Sequence, residues 1–130
     1  MIDLLNELAA LVAQSSSTAQ DVADKLGRVV GEERGQLMIE TDFTSYATAV
    51  PEYDSDELGF VQLVFNEPLA LEALQAAFGE YLPVPPMPKK PNRVMFRPDV
   101  ASESHRATII AEIEEQAART FTIRRDILLE

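Results

Sequence analysis

The chain contains no cysteine among its 130 residues. This absence excludes disulfide bonds, thiolate metal sites and cysteine nucleophiles, and it is typical of proteins from a reducing compartment. No apolar run approaches the roughly 18 residues needed to span a bilayer. The amino terminus, MIDLLNELAALVAQSSS, lacks the basic region of a signal peptide and carries Asp3 and Glu7. We therefore expect a soluble, cytoplasmic protein with no membrane partner.

Histidine and glycine are scarce, with one His and five Gly in the chain. No GxGxxG or phosphate-binding loop motif occurs, so nucleotide chemistry has no support in the sequence. His105 lies beside serines in SESHR, but no glycine elbow or oxyanion motif accompanies it. Asp54, Asp56 and Glu57 carry hard oxygen ligands at close spacing, yet they lack the glycine and distant glutamate of an EF-hand loop. The sequence therefore predicts no catalytic residue, no cofactor and no metal, and it favours a non-enzymatic role.

Basic residues are also few, since 11 Lys and Arg stand against 22 Asp and Glu, a net charge of −11. Phosphates would be repelled by such a chain, so we expect no nucleic-acid partner. A basic protein is the partner that this charge favours. The alternative explanation of the acidity is adaptation to solubility or to a saline cytoplasm, which would carry no functional information.

Helical periodicity appears twice before residue 28. Residues 2–14 place apolar side chains on one face and acidic or amide side chains opposite, which predicts an amphipathic helix. Thr18 with Asp21 is the spacing of a capping box, and Gly27 is well placed to end the helix that follows. The stretch TAQDVADKLG resembles the first helix of a helix-turn-helix unit, so DNA binding is a third hypothesis. The residues after it, VVGEERGQLMIE, carry a net charge of −2, which argues against a DNA-reading helix.

From Gln36 the periodicity changes to two. The stretches QLMIETD, FTSYATAV and LGFVQLVFN predict two or three antiparallel strands, with the turn before the last one at residues 51–57. Pro68 is placed to open a third helix that ends at Gly79. Residues 106–118 fit either a strand or a helix, and we favour a strand because Thr108, Ile109 and Ile110 are consecutive β-branched residues. RVMFR and RTFTIRRDILL predict further strands, and no internal repeat is evident.

Residues 80–99, EYLPVPPMPKKPNRVMFRPD, hold six of the eight prolines. A linker between two domains would leave only about 30 residues beyond it, too few to bury a core without disulfide or metal cross-links. A ligand for a proline-binding module remains a second interpretation, since PVPPMP could adopt a polyproline conformation. We favour a stiff connection from the third helix to the next strand, with Val84 and Met87 packed on the core.

The combined expectation is a single α+β domain over residues 1–130. It would contain two N-terminal helices, an antiparallel sheet of about five to six strands and a third helix packed on that sheet. The function favoured is a non-catalytic acidic protein-interaction module, comparable to an immunity protein, a chaperone or an adaptor. A homodimer stays open. The rival hypothesis is a small-ligand protein or enzyme with a pocket between the third helix and the sheet. The partner-binding residues predicted for the module are Tyr46, Tyr53, Asp54, Asp56 and Glu57.

Overall fold

A computed structural model of the chain describes residues 1–14, 16–89, 91–98 and 105–127. Within these residues the chain forms three helices: α1 (Ile2–Ala13), α2 (Ala19–Leu26) and α3 (Leu71–Phe78). The same residues contain eight strands: β1 (Arg28–Glu33), β2 (Gln36–Glu40), β3 (Thr44–Pro51), β4 (Leu58–Ala70), β5 (Leu82–Pro83), β6 (Asn92–Phe96), β7 (His105–Glu114) and β8 (Ala117–Ile127). The described residues include no helix long and apolar enough to cross a membrane.

The two N-terminal helices form as the sequence predicts. The apolar stripe of α1 is buried, and Leu5, Leu8 and Val12 have no exposed surface. At the start of α2, the Thr18 side chain accepts a hydrogen bond from the Asp21 amide, and the Asp21 carboxylate accepts one from the Thr18 amide. This reciprocal capping box satisfies donors that the first turn leaves without intrahelical partners.

All the described strands belong to one antiparallel sheet in the order β1-β2-β3-β4-β8-β7-β6-β5. The order describes two four-stranded meanders, β1 to β4 and β5 to β8, which join where β4 pairs with β8. A helix precedes each meander, α2 the first and α3 the second. The two halves of the chain therefore repeat one helix-plus-meander arrangement about a pseudo-twofold axis between β4 and β8.

Sequence positions match across this repeat although no repeat is evident in the sequence itself. Gly27 ends α2 and Gly79 ends α3. Met38 in β2 and Met95 in β6 lie in one row across the sheet, each in the second strand from its edge. The repeat escapes notice because few residue types are shared between the two halves.

One face of the sheet carries the core beneath α1 and α2. Alternate residues of β2, β3, β4, β6, β7 and β8 point into it and are buried: Leu37, Ile39, Ala47, Ala49, Val61, Leu63, Phe65, Val94, Phe96, Ala107, Ile109, Ala111, Phe121 and Ile123. Helix α1 lies over β7, β8 and β4, while α2 lies over β2 and β3. Alanines in β3 and β7 allow this close approach, and the Phe65 and Phe121 rings meet edge to face at 5.5 Å between centroids.

The sequence underestimates the number of strands, since the described residues contain eight and five to six were expected. Strand β1 was not predicted because its apolar residues do not alternate with polar ones. Val29 and Val30 are adjacent, and both are exposed. Strand β5 is two residues long and ends at Pro83, inside the proline segment. The strand favoured within residues 106–118 is confirmed as far as Glu114 in β7, but the chain then turns at Glu115 and Gln116, both with positive φ, and β8 begins at Ala117.

The third helix starts later than expected. We predicted its start at Pro68, whereas α3 begins at Leu71. Strand β4 continues through Pro68 because a register shift lets Leu69 and Ala70 pair with Ala118 and Ala117 of β8. In the proline segment that follows, Val84 is half-buried, but Met87 is exposed and does not pack on the core as expected.

Candidate functional site

The hairpin between β3 and β4 gathers most of the predicted partner-binding residues at its tip. Tyr53, Asp54 and Asp56 lie in the turn, and all three are exposed. The Tyr53 side chain is accessible over its whole surface, with a relative exposure of 101%. Asp54 has a φ of +56°, a left-handed conformation that Asp tolerates better than most residues. The turn therefore holds one aromatic ring and two carboxylates in solvent.

The turn between β1 and β2 lies beside this tip. Arg34 and Gly35 form it with positive φ angles, as a two-residue hairpin requires. A cleft separates the two turns, and we call it the acidic cleft. Its charged lining residues are Glu33, Arg34, Glu52, Asp54 and Asp56. Four carboxylates against one guanidinium leave the cleft with a net charge of −3.

Glu57 differs from its neighbours in the predicted set. Its Oε2 atom lies 3.7 Å from Nη1 of Arg125, and Glu52 Oε1 lies 3.9 Å from the same nitrogen. The Glu57 backbone is also fixed, because its carbonyl accepts from the Glu52 amide at 2.8 Å. Glu57 therefore faces the protein interior on one side, whereas Asp54 and Asp56 face solvent.

Arg125 is the charged residue that sequence reasoning missed. Its side chain has no exposed surface. Its Nε donates to the Val12 carbonyl at 2.7 Å, and its Nη2 donates to the Gln14 carbonyl. These carbonyls belong to the end of α1, where helices leave acceptors unsatisfied and where positive charge is favoured. A signal existed, because Phe121, Ile123 and Arg125 alternate in β8 and the period places Arg125 inward.

Arg125 thus joins the end of α1 to the base of the β3–β4 hairpin. The hairpin is held at a second point, where the Leu58 amide donates to the Ser17 carbonyl at 2.8 Å. Among the described residues, Nη1 of Arg125 has no hydrogen-bond partner, and the two glutamates are its neighbouring charges. The acidic tip therefore projects from a fixed base.

Tyr46 does not lie at the tip with Tyr53. It sits in β3 opposite Val64 of β4, on the sheet face away from the helices, and is 39% exposed. We call this face the open face. Its apolar residues come from six strands: Met38, Tyr46, Val50, Phe60, Val64, Leu82, Met95 and Ile110. The two predicted tyrosines therefore lie on different parts of the surface, Tyr53 in the hairpin turn and Tyr46 on the open face.

The open face is continuous from one sheet edge to the other. The strand register aligns one row of residues across the sheet: Gly31, Met38, Thr48, Gln62, Thr122, Ile110, Met95 and Leu82. A second row, nearer the hairpin tip, places Val50 beside Phe60. Val50 and Gln36 also line the acidic cleft, so the open face runs directly into the cleft.

Two threonines of the open face are fully buried. Thr48 and Thr108 have no exposed surface although both point away from the core. The Thr48 hydroxyl donates to the Leu37 carbonyl at 2.9 Å and accepts from the Gln36 side chain at 3.0 Å. Thr108 donates to Asp126, which is ion-paired with Arg124 at 2.9 Å. Neighbouring side chains therefore cover these threonines, and hydrogen bonds satisfy both hydroxyl groups.

The charge of the chain is unevenly divided between the two repeats. Residues 1–70 contain three basic and thirteen acidic residues, a net charge of −10. Residues 71–130 contain eight basic and nine acidic residues, a net charge of −1. On the open face, Arg93, Arg106 and Arg124 lie in β6, β7 and β8. The register also places Glu112 opposite Arg93 and Asp126 opposite Arg106, and Arg124 is ion-paired with Asp126, so this half of the face carries charges of both signs.

The space between α3 and the sheet is filled by apolar packing. Leu71 and Leu74 are buried there, and the Phe78 and Tyr81 rings lie 5.9 and 6.3 Å from the Phe96 ring. A separate depression lies at the opposite end of the sheet from the hairpin tip, and it is lined by Glu112, Glu114 and Glu115. Within the described ranges, no group of three or more His, Asp or Glu side chains is arranged to hold a metal ion.

Comparison with protein-family models, with curated proteins and with solved structures finds no match to this chain.

Proposed function

We propose that this chain is a non-catalytic protein-interaction module whose acidic cleft binds a basic protein partner. The observation that carries the proposal is the assembly of Glu33, Glu52, Asp54 and Asp56 by two neighbouring hairpin turns, with Tyr53 fully exposed beside them. Carboxylates in such an arrangement attract Lys and Arg side chains and accelerate encounter with a basic surface.

The aromatic ring supports a protein partner over a free cation. Tyrosine is enriched at protein interfaces because its ring buries apolar area while its hydroxyl keeps a hydrogen bond. The Tyr53 ring is fully exposed and buries no area within the fold. A partner can therefore gain binding energy by burying the whole ring. A bare metal ion would gain nothing from this ring beyond the carboxylates.

The contacts at the base of the β3–β4 hairpin support a preformed binding site. Arg125, through Glu52 and Glu57, and the Ser17 to Leu58 hydrogen bond hold the base of the hairpin whose turn carries Asp54 and Asp56. A preorganised surface loses less conformational entropy on binding than a mobile one.

The experiment that tests the proposal is affinity capture with the tagged full chain from the lysate of its host. Three baits are compared: the wild type, a tip variant with Asp54→Lys and Asp56→Lys, and a far-end variant with Glu67→Lys and Glu114→Lys. The two variants have the same net charge, and Glu67 and Glu114 are exposed at the opposite end of the sheet.

We expect the wild type and the far-end variant to retain one basic protein at about 50 mM salt and to release it at about 500 mM salt. The tip variant is expected to lose it. Equal recovery by all three baits, or recovery of no specific protein by the wild type, would contradict the proposal. The second outcome would favour the small-ligand hypothesis.

A further inference from the structure

We propose that the β1 edge of the sheet binds a second copy of this chain, so that two β1 strands pair antiparallel about a twofold axis. Val29 of one copy would exchange backbone hydrogen bonds with Glu32 of the other, and Arg28 would form an ion pair with Glu33. The symmetry makes each contact twice. The inference does not rest on the proposed function, since of the four carboxylates in the acidic cleft it engages Glu33 alone and leaves the hairpin tip free.

The two edges of the sheet differ in their capacity to pair. Strands β1 and β5 are the outermost strands and begin the two meanders. Strand β5 has two residues and ends at Pro83, and short strands and prolines protect an edge from pairing. Strand β1 has six residues and no proline, and within the part of the chain that the structure describes it pairs with β2 alone. The β1 edge therefore offers backbone groups to a further strand.

The side chains of β1 suit a neighbouring strand. Val30 is 55% exposed and Val29 is 37% exposed. Helix α2 lies mainly over β2 and β3, so the outer edge of β1 does not lie beneath that helix. Residues branched at Cβ favour the extended conformation and pack well against side chains of an adjacent strand. A strand added at this edge would therefore cover apolar surface that the single chain leaves in solvent.

Alternation along β2 decides which backbone groups of β1 point outward. The residues that flank a two-residue turn exchange hydrogen bonds with each other, and the direction then alternates from residue to residue. Leu37 and Ile39 therefore turn their amides and carbonyls toward β3. Their partners in β1 are Glu32 and Val29, which turn their own amides and carbonyls away from β2. These two residues supply the backbone donors and acceptors of the free edge.

A β-bulge places Arg28 and Glu33 on the same face of the sheet. In a regular strand, residues five apart point to opposite faces. The register of β1 shifts once between these two residues, so that Arg28 lies opposite Glu40 and Glu33 lies opposite Gln36. Gln36 and Glu40 are four apart in β2 and share the open face. Arg28 and Glu33 therefore share that face as well.

These constraints agree on one antiparallel register for two copies. When Arg28 lies opposite Glu33 of the second copy, Val29 lies opposite Glu32, and the bulges of the two copies face each other. The residues with outward backbone groups are then paired, and the opposite charges lie on one face, as a cross-strand ion pair requires. Arg28 keeps its ion pair with Glu40, since a guanidinium has donors for two carboxylates.

Charge also favours β1 as the contact between two acidic molecules. Residues 28–34, RVVGEER, contain two basic and two acidic residues and are neutral, whereas residues 1–70 have a net charge of −10. Arg28 and Arg34 are two of the three basic residues in that half of the chain. Physiological salt screens the remaining repulsion beyond about 8 Å. The neutral edge is therefore the part of this half that a second copy can approach at the lowest electrostatic cost.

Sedimentation equilibrium of the full chain at about 150 mM salt, from about 10 µM to 1 mM protein, tests the proposal. We expect the mass of the wild type to rise toward twice that of the monomer. Arg28→Glu and Glu33→Arg should each dimerise at least about tenfold more weakly, because each places like charges opposite one another. An equimolar mixture of these two variants should recover the wild-type affinity, since both ion pairs then have opposite charges again.

Glu32→Arg is the matched control, because it makes the same charge change at the neighbouring position, opposite Val29. It should dimerise as the wild type does, and thermal melts establish that each variant is folded. A dimer that Arg28→Glu and Glu33→Arg leave unchanged, or that their mixture does not restore, would place the interface elsewhere and overturn the proposal. A wild type that stays monomeric at about 1 mM would also overturn it, and the charges and bulge of β1 would then serve to protect the edge.

The tip variant with Asp54→Lys and Asp56→Lys separates this inference from the proposed function. It should dimerise as the wild type does even though it is expected to lose the basic protein. Loss of the dimer in the tip variant would place the interface at the hairpin tip and overturn the β1 assignment. Failure of the wild type to capture a basic protein would reject the proposed function and leave the dimer measurement unaffected.

Discussion

Arg125 Nε donates a hydrogen bond of 2.7 Å to the carbonyl of Val12, a residue 113 positions earlier in the chain. The bond joins the last strand of the sheet to the end of the first helix. The same guanidinium lies within 4 Å of Glu52 and Glu57 at the base of the acidic hairpin. A single buried side chain thus connects the α1 terminus, the sheet centre and the candidate site.

Replacing Arg125 with Met should destabilise the protein by on the order of 3 kcal/mol. The substitution leaves the Val12 and Gln14 carbonyls without a charged donor in a buried position. Urea denaturation followed by circular dichroism measures the loss. Arg124→Met is the matched control, because Arg124 is exposed and its ion pair with Asp126 contributes at most about 1 kcal/mol. Equal stability of the two variants would contradict the role assigned to Arg125.

The predicted acidic residues should separate into two groups by their effect on stability. Asp56→Lys should leave the melting temperature unchanged, since its side chain is exposed, whereas Asp54→Lys should lower it slightly because the φ of +56° at this position suits Asp better than Lys. Glu57→Lys should lower stability by about 1 kcal/mol, because it brings a positive charge toward Arg125 Nη1, and the partial exposure of Glu57 limits the effect. Thermal denaturation at low salt compares the three single variants. A melting temperature of Glu57→Lys equal to that of Asp56→Lys would refute this division.

Gly27 and Gly79 end equivalent helices but should respond differently to alanine. A Cβ on Gly27 would lie 2.3 Å from the Glu40 carbonyl oxygen, so the backbone of β2 must shift, at a cost of about 2 to 3 kcal/mol. Gly79 has open space around it, but its φ of +87° and ψ of −170° lie in a region nearly restricted to glycine, so alanine there meets backbone strain of on the order of 1 to 3 kcal/mol without a clash. Both variants should therefore lose stability, for different reasons, and chemical denaturation measures the two losses. An unchanged stability of either variant would be inconsistent with the structure.

Thr18→Ala should remove one half of the capping box of α2 and destabilise the protein by about 1 kcal/mol. The amide of Asp21 then loses its side-chain acceptor. Ser16→Ala is the control, because Ser16 is an exposed residue two positions before the cap. Differential scanning calorimetry should show a lower melting temperature for the Thr18 variant alone. Identical melting temperatures would mean that the box does not stabilise α2.

Helices α1 and α2 and strands β2, β3, β4 and β6 could be predicted because each buries one side of a regular pattern. Strand β1 could not, since both of its valines face solvent at the sheet edge. The turn after β7 could not be predicted from the sequence either. Glu115 and Gln116 adopt left-handed conformations that their residue types do not favour, so the two strands rather than the turn chemistry impose the hairpin.

The candidate site was predictable only in part. Tyr53, Asp54 and Asp56 are adjacent in the sequence, so one turn necessarily brings them together. Glu33 and Arg34 join them through the β1–β2 turn, which requires knowledge of the strand order. Tyr46 belongs to the open face because strand alternation, and not proximity in sequence, decides its direction. The pairing of distant strands determines these relationships, and local periodicity contains no information about it.

The most direct test of the central claim is the association rate of the captured basic protein with the wild type and the tip and far-end variants. Stopped-flow fluorescence at several salt concentrations between about 50 and 500 mM provides the rate constants. We predict that the wild type and the far-end variant associate fast at low salt with a steep salt dependence. The tip variant should associate at least about tenfold more slowly with a shallow dependence. Equal rates and equal salt slopes for the tip and far-end variants would contradict a partner site at the acidic cleft.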